Sequence, residues 1–378
     1  MNKSIDVIGV QMDFGASKRG VAMGPAAIRY AGLLDDLKGM GFDVHDKGDI
    51  LPLLRGKTSE TMRNYEQVID VNRKLYDKVT TSLSRGRFPL VLGGDHSIAA
   101  GSISAVSKAY QDKGGIGVIW IDAHGDWNNE ETTSTGNMHG MPFSAVCGYG
   151  PDCMVNYGQD PAYIKVKNCV QIAGRDIDPK EAERMKEAGI TVFPINMIDE
   201  LGMPTVIRKA IEIASDETAG IHLSFDIDAV TPEVAPGTGT MVHSGLTARE
   251  SFIAVELLAQ SHKLLSMDMV EVNPILDERN KTGILASKLI QSALGDIVYE
   301  DLLKIKRAAA EKLSVAALLV LWRQQRHRQV RGSVCVRSPA NPIKSVFVRK
   351  PPGREKWKRR PGTELLPARF AYAGPQSQ

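Results

Sequence analysis

The 378-residue chain reads as an α/β protein, a three-layer sandwich built around a mostly parallel central sheet. Two observations predict it. Short runs of Val, Ile and Leu, each only long enough for a buried strand, alternate with longer stretches of helical periodicity. Several of those runs also end in an acid or a Gly-Gly-Asp-His turn, as strands do where a sheet edge carries a site. Strand–helix alternation of this kind implies βα units and parallel pairing. With 43% apolar and 24% charged residues, the composition excludes collagen-like, coiled-coil and wholly disordered chains.

The strand-like runs are Ile5–Val10, Phe88–Leu92, Ile116–Ile121, Val170–Ala173, Ile221–Phe225 and Leu264–Val270. Between them the periodicity predicts helices over Met62–Leu83, Ile98–Tyr110, Pro179–Ala188, Thr205–Ala214 and Arg249–Ser261. No apolar run approaches the roughly 20 residues needed to span a bilayer; the most apolar candidate, Val315–Trp322, is eight residues long. The N-terminus lacks the apolar stretch of a signal peptide. Cys147, Cys153, Cys169 and Cys335 form no CxxC pair and are too few for a disulfide scaffold. A reducing, cytoplasmic setting is expected, with no membrane association.

The formal net charge of +3 hides two opposed parts. Residues 304–378 hold 18 Lys/Arg against 3 Glu and no Asp, a balance of +15; residues 1–303 hold 29 basic and 41 acidic residues, a balance of −12. A shift this abrupt marks a boundary. The expected organisation is a catalytic domain over residues 1–303 and a basic extension over 304–378. That extension reads as partly helical at first and then, rich in Pro, Arg and Lys, as disordered. Its basic clusters, Arg349-Lys350 and Lys356–Arg360, accompany no nucleic-acid motif, so a nucleic-acid partner is not expected.

The chemistry sits where the strands end. Asp122-Ala-His124-Gly-Asp126 places three ligand-type side chains at i, i+2 and i+4, which face one side in an extended segment. Asp226-Ile-Asp228 repeats that spacing after another run, and His96 follows the two glycines of Gly93-Gly94-Asp95-His96-Ser97. Four carboxylates crowded together cannot all stay ionised without compensating positive charge. Two divalent cations would balance them, and six ligands suit two ions sharing carboxylates. Oxygen-rich ligation with two imidazoles and no thiolate favours a harder ion such as Mn²⁺ over structural zinc.

These stretches resemble the ureohydrolases, the arginase and agmatinase family. The matching motifs are Gly93–Ser97, Asp122–Asn128, Gly136–Gly140, Gly174–Pro179, Ser224–Pro232, Thr238–Thr240 and Glu271–Pro274, in register over about residues 4–302. The resemblance implies the arginase/deacetylase-like sandwich, and hydrolysis of a guanidinium group to urea and an amine by a hydroxide held between two Mn²⁺ ions. One ion would be held by His96, Asp122, Asp126 and Asp226, the other by Asp122, His124, Asp226 and Asp228. Asp126 would also orient the attacking water, His139 would reprotonate the leaving amine, and Glu271 would hold the guanidinium. A homo-oligomer, trimer or hexamer, is implied as well.

At the far end of the substrate the resemblance leans toward arginases, and so toward L-arginine. Asn128, Thr135 and Asn137 match positions that contact an α-carboxylate. Asp178, with Glu181 nearby, matches the acid that reads the α-ammonium, and Thr240 lies in the substrate loop. Trp127 takes a position often held by a smaller residue and is expected to reshape the carboxylate pocket. Agmatinase or another guanidino-acid hydrolase is the nearest alternative. A single-zinc deacetylase-like amide hydrolase is a more distant one, because His96 and Asp126 would be surplus in a one-metal site. His45, His222, His243, His262 and His327 are read as structural or surface histidines, and Cys147 and Cys153 as loop residues near the site.

Overall fold

A computed structural model describes residues 4–157 and 160–296. Its strands are β1 (Ser4–Val10), β2 (Asp43–Ile50), β3 (Phe88–Leu92), β4 (Gly117–Ile121), β5 (Cys169–Ile172), β6 (Thr191–Phe193), β7 (Ile221–Asp226) and β8 (Leu264–Val270). The helices are α1 (Gly24–Tyr30), α2 (Leu33–Gly39), α3 (Tyr65–Ser84), α4 (Ala99–Tyr110), α5 (Pro142–Val146), α6 (Pro179–Ala188), α7 (Ile195–Leu201), α8 (Met203–Ala214), α9 (Ala248–Ser261) and α10 (Lys281–Ala293). The predicted basic extension, with His327 and Cys335, lies outside the described residues.

The strands form one sheet in the order β2-β1-β3-β8-β7-β4-β5-β6, and every pairing is parallel. Side chains alternate across it as a period of two requires. Ile119 and Ile121 of β4 join the apolar layer that includes α1, α2 and α7–α10, whereas Val118 and Trp120 join the layer that includes α3, α4 and α5. Both faces are therefore covered, as parallel sheets require, and the architecture is the predicted three-layer sandwich.

All six predicted runs are strands. The two strands without an apolar run, β2 and β6, are the two edges. β2 reads DVHDKGDI and is buried only at Ile50; with one side open to solvent, it needs no apolar signature. The four strands that precede the acid and histidine motifs, β3, β8, β7 and β4, are adjacent at the sheet's centre. Their carboxyl ends meet at one place, where open α/β sheets bind ligands.

Candidate functional site

The turn after β3 lifts His96 into the sheet edge. Gly94 is required there: a Cβ on it would stand 1.7 Å from the Met12 carbonyl oxygen. His96 is fully buried, and its Nδ1 lies 3.0 Å from Asp122 Oδ2 and 3.1 Å from both Asp126 Oδ2 and Asp226 Oδ2. On the other side of Asp122, His124 Nδ1 lies 3.1 Å from Asp228 Oδ2 and 3.4 Å from Asp122 Oδ1. The structure thus gathers five of the six expected ligands into two donor groups that share Asp122, His96–Asp122–Asp226 and Asp122–His124–Asp228, while the sixth, Asp126, stands beside them against His96 Nδ1.

The donor chemistry fits cations. One ring nitrogen carries at most one hydrogen, yet three carboxylate oxygens converge on His96 Nδ1. Acceptors aimed together with too few hydrogens between them match a site for positive charge. The backbone and neighbouring side chains hold the donors in place. The His124 and Asp228 amides donate to Asp122 Oδ1 and Asp226 Oδ1, Trp120 Nε1 donates to Asp122 Oδ2, and His96 Nε2 pairs with Ser224 Oγ at 2.9 Å. That last contact leaves Nδ1 as the ring nitrogen facing the carboxylates, the one a cation there would meet. Thr240 Oγ1 donates to Asp228 Oδ2 at 2.9 Å, so its hydroxyl is engaged with a donor carboxylate.

The electrostatics carry the same message. Burial alone would lower the His96 pKa, but Asp122, Asp126 and Asp226 outweigh it and raise it well above its ordinary value. Burial, reinforced by Asp228 and Asp122, pushes Asp226 far up. Burial and Asp122 likewise push Asp126 to about 6. These carboxylates repel one another in a low dielectric unless a cation intervenes.

Asp126 and Glu271 are both in the left-handed backbone region, with φ of 48° and 62°. Such positions cost non-glycine residues about 1–3 kcal/mol each and cluster at functional sites. Glu271 is almost wholly buried; its Oε1 accepts from the His96 amide at 2.9 Å and pairs with His139 Nδ1 at 3.1 Å. Against the effect of burial, Glu271 raises the His139 pKa to about 9.

A cleft of about 210 Å³ opens from the donors and is lined by His124, Asp126, Asn128, Thr135, Asn137, His139, Asp178, Glu181 and Thr240. Two of the expected metal ligands, His124 and Asp126, thus share one cavity with the expected substrate-end residues, whereas His96, Asp122, Asp226, Asp228 and Glu271 are buried beneath it. Asn128 Oδ1 is buried without a protein partner. Thr133 and Ser134, which the sequence reading passed over, also line the cleft. Glu181 is engaged by the protein: its Oε1 accepts from the Trp127 amide at 2.7 Å and its Oε2 from the Asp178 amide at 3.2 Å. Burial lifts its pKa to about 8 against those two hydrogen bonds.

Two expectations need correction. Trp127 does not shape the cleft; it is buried in the core, edge-on to Phe143 at 5.1 Å and near Tyr149. Cys147 is also a core residue, its Sγ 3.5 Å from Cys169 Sγ. The structural reading of the histidines holds for the described ones. His222 is buried between Ser266 and Asp268, His243 is exposed near Glu233, His45 pairs with Asp43, and His262 caps α9.

Two supports were not legible in the sequence. Gln171 Nε2 donates to the Asp122 and His124 carbonyls. The guanidinium of Arg175 donates to the carbonyls of Ala173, Asp228, Ala229, Val242 and His243. Gln171 and Arg175 reach backbone from distant segments, so no local pattern announces them.

A parallel sheet with a His/Asp donor set at its carboxyl edge, opening into an acid-lined cleft, defines a metal-dependent hydrolase class. Residues 3–295 match the model of the arginase family. The chain is 46% identical to an arginase of Brevibacillus brevis over 298 residues, covering 78% of this chain and 99% of that one. The native structure of Bacillus caldovelox arginase superposes with a TM-score of 0.75 at 44% identity, covering 78% and 99%. Entamoeba histolytica arginase in complex with L-ornithine superposes with a TM-score of 0.72 at 32% identity, covering 78% and 99%. The chain belongs to the arginase family.

Proposed function

We propose that this protein hydrolyses L-arginine to L-ornithine and urea with two Mn²⁺ ions. The observation that carries the reading is the single cleft. Its lining includes His124 and Asp126 of the His/Asp donor set together with Asn128, Thr135, Asn137 and Asp178, groups suited to an amino acid's carboxylate and ammonium.

His96, Asp122, Asp126 and Asp226 would hold one ion and Asp122, His124, Asp226 and Asp228 the other; oxygen-rich donors without thiolate favour Mn²⁺. Such a pair supplies a water whose pKa falls toward neutrality and polarises the group it attacks. Glu271 receives the planar guanidinium, because its Oε1 is occupied by His96 and His139 and its other oxygen is left to pair with guanidinium N–H groups. Asp126 would be the carboxylate placed to accept that water's proton. His139, protonated at neutral pH because Glu271 holds its pKa near 9, delivers a proton to the departing amine nitrogen.

The catalytic unit spans residues 1–303, with the basic stretch 304–378 appended to it. The protein works in the cytoplasm as a homotrimer or hexamer, with no membrane or nucleic-acid partner. Among the described residues no helix is long and apolar enough to cross a membrane. The test is urea release by Mn²⁺-loaded protein. L-Arginine should be turned over far faster than agmatine, and Asp178→Ala should erode that preference. A preference for agmatine would overturn the assignment. Removing residues 304–378 should leave the arginine activity intact.

A further inference from the structure

The geometry points to Ser17 as a positioning residue that aims Asn137 at the substrate carboxylate. The inference rests on the reading of the cleft as an amino-acid site. Ser17 is exposed and Asn137 half-buried at the cleft wall. Ser17 Oγ donates to Asn137 Oδ1 at 2.9 Å. With its oxygen committed there, the amide presents its Nδ2 hydrogens elsewhere, and the cleft is the space it lines.

The Asn137 backbone N–H donates to Thr135 Oγ1 at 3.1 Å. That hydroxyl, already accepting, is left to donate its own hydrogen. Two neutral side chains are thereby set as donors, as a carboxylate requires.

Ser17 can do this because its segment is fastened on several sides. The Gly15 amide donates to Asp95 Oδ2 at 2.8 Å, the Gly15 carbonyl accepts from the His139 amide at 3.1 Å, and Asn64 Nδ2 donates to the Phe14 carbonyl at 2.9 Å. Beyond it, Asn273 Nδ2 donates to the Arg19 carbonyl. Gly15–His139 and Ser17–Asn137 pair residues two apart with residues two apart, so segment 15–17 runs as a strap along segment 137–139. A strap anchored to Asp95 and Asn273, which flank the sheet's central strands, transmits their position to Asn137.

An exposed hydrogen bond contributes modestly, so the effect is a shift in specificity and not a loss of activity. In the full-length Mn²⁺-loaded protein, Ser17→Ala should raise KM for L-arginine about 3- to 10-fold. The ratio of kcat/KM for L-arginine over agmatine should fall by the same factor. Ser17→Thr, which keeps the hydroxyl, should restore it, and Ser17→Ala should add nothing in an Asn137→Ala background. Equal losses on both substrates, or a failure of threonine to rescue, would overturn the positioning role. If Asn137→Ala is selective against L-arginine and Ser17→Ala is silent, the inference fails while the amino-acid reading stands. If Asn137→Ala is itself unselective, the carboxylate reading of this wall fails with it.

Discussion

Glu181→Gln separates the two loads this buried carboxyl bears. Glu181 is 3% exposed and accepts the Trp127 and Asp178 amides. Glutamine keeps one acceptor for Trp127 but turns an NH₂ toward the Asp178 amide. The lost hydrogen bond and orphaned donor cost about 1–3 kcal/mol. The opposite contribution comes from ionisation. A rise from 4.5 to about 8 means that the folded chain keeps a proton which the unfolded chain has released. Wild-type stability therefore falls as pH climbs from 4.5 through 8, by on the order of 5 kcal/mol in all. Glutamine has no proton to release. In chelator-treated protein, urea denaturation should find the variant less stable at pH 5, with the gap closing or reversing by pH 9. A gap that stays constant across that range would refute the reasoning, because Glu181 would then be ionised in the fold throughout. The consequence reaches the site: the Trp127 amide held by Glu181 adjoins Asp126.

Other perturbations probe the rest of the site. His139→Asn should lower kcat about 10²- to 10⁴-fold with unchanged metal content. In the wild type, kcat should decline as pH rises through about 9, where His139 loses its proton, and stopped-assay pH profiles of the variant should lack that limb. His124→Ala should reduce bound manganese, measured by elemental analysis after gel filtration, from two equivalents toward one. Retention of both would remove His124 from the ligand set.

Much of the candidate site was legible because its ligand-type side chains are local. Asp122, His124 and Asp126 follow a single strand, Asp226 and Asp228 another, and the spacing of two is written into the chain. The edge strands β2 and β6 were illegible for the converse reason. A strand paired on one side and wetted on the other carries no apolar run, and β2 offers only Ile50 to the interior. Trp127 misled because adjacency to Asn128 suggested a shared surface. The chain turns there, sending the indole into the core beside Phe143 and leaving Asn128 at the cleft.

By itself the sequence determined the α/β class, the family motifs and six His and Asp side chains of metal-ligand type, since hydrophobic period and short spacings act within a few residues. Only the tertiary structure decided how those ligands share Asp122, that Glu271 holds both His96 and His139, and that Glu181, Gln171, Arg175 and Ser17 brace the site. Those contacts join segments tens to more than a hundred residues apart. The physical reason is that hydrogen bonds and charge repulsion depend on distance in space, which a parallel sheet sets by strand order, and here that order puts β3, β8, β7 and β4 side by side.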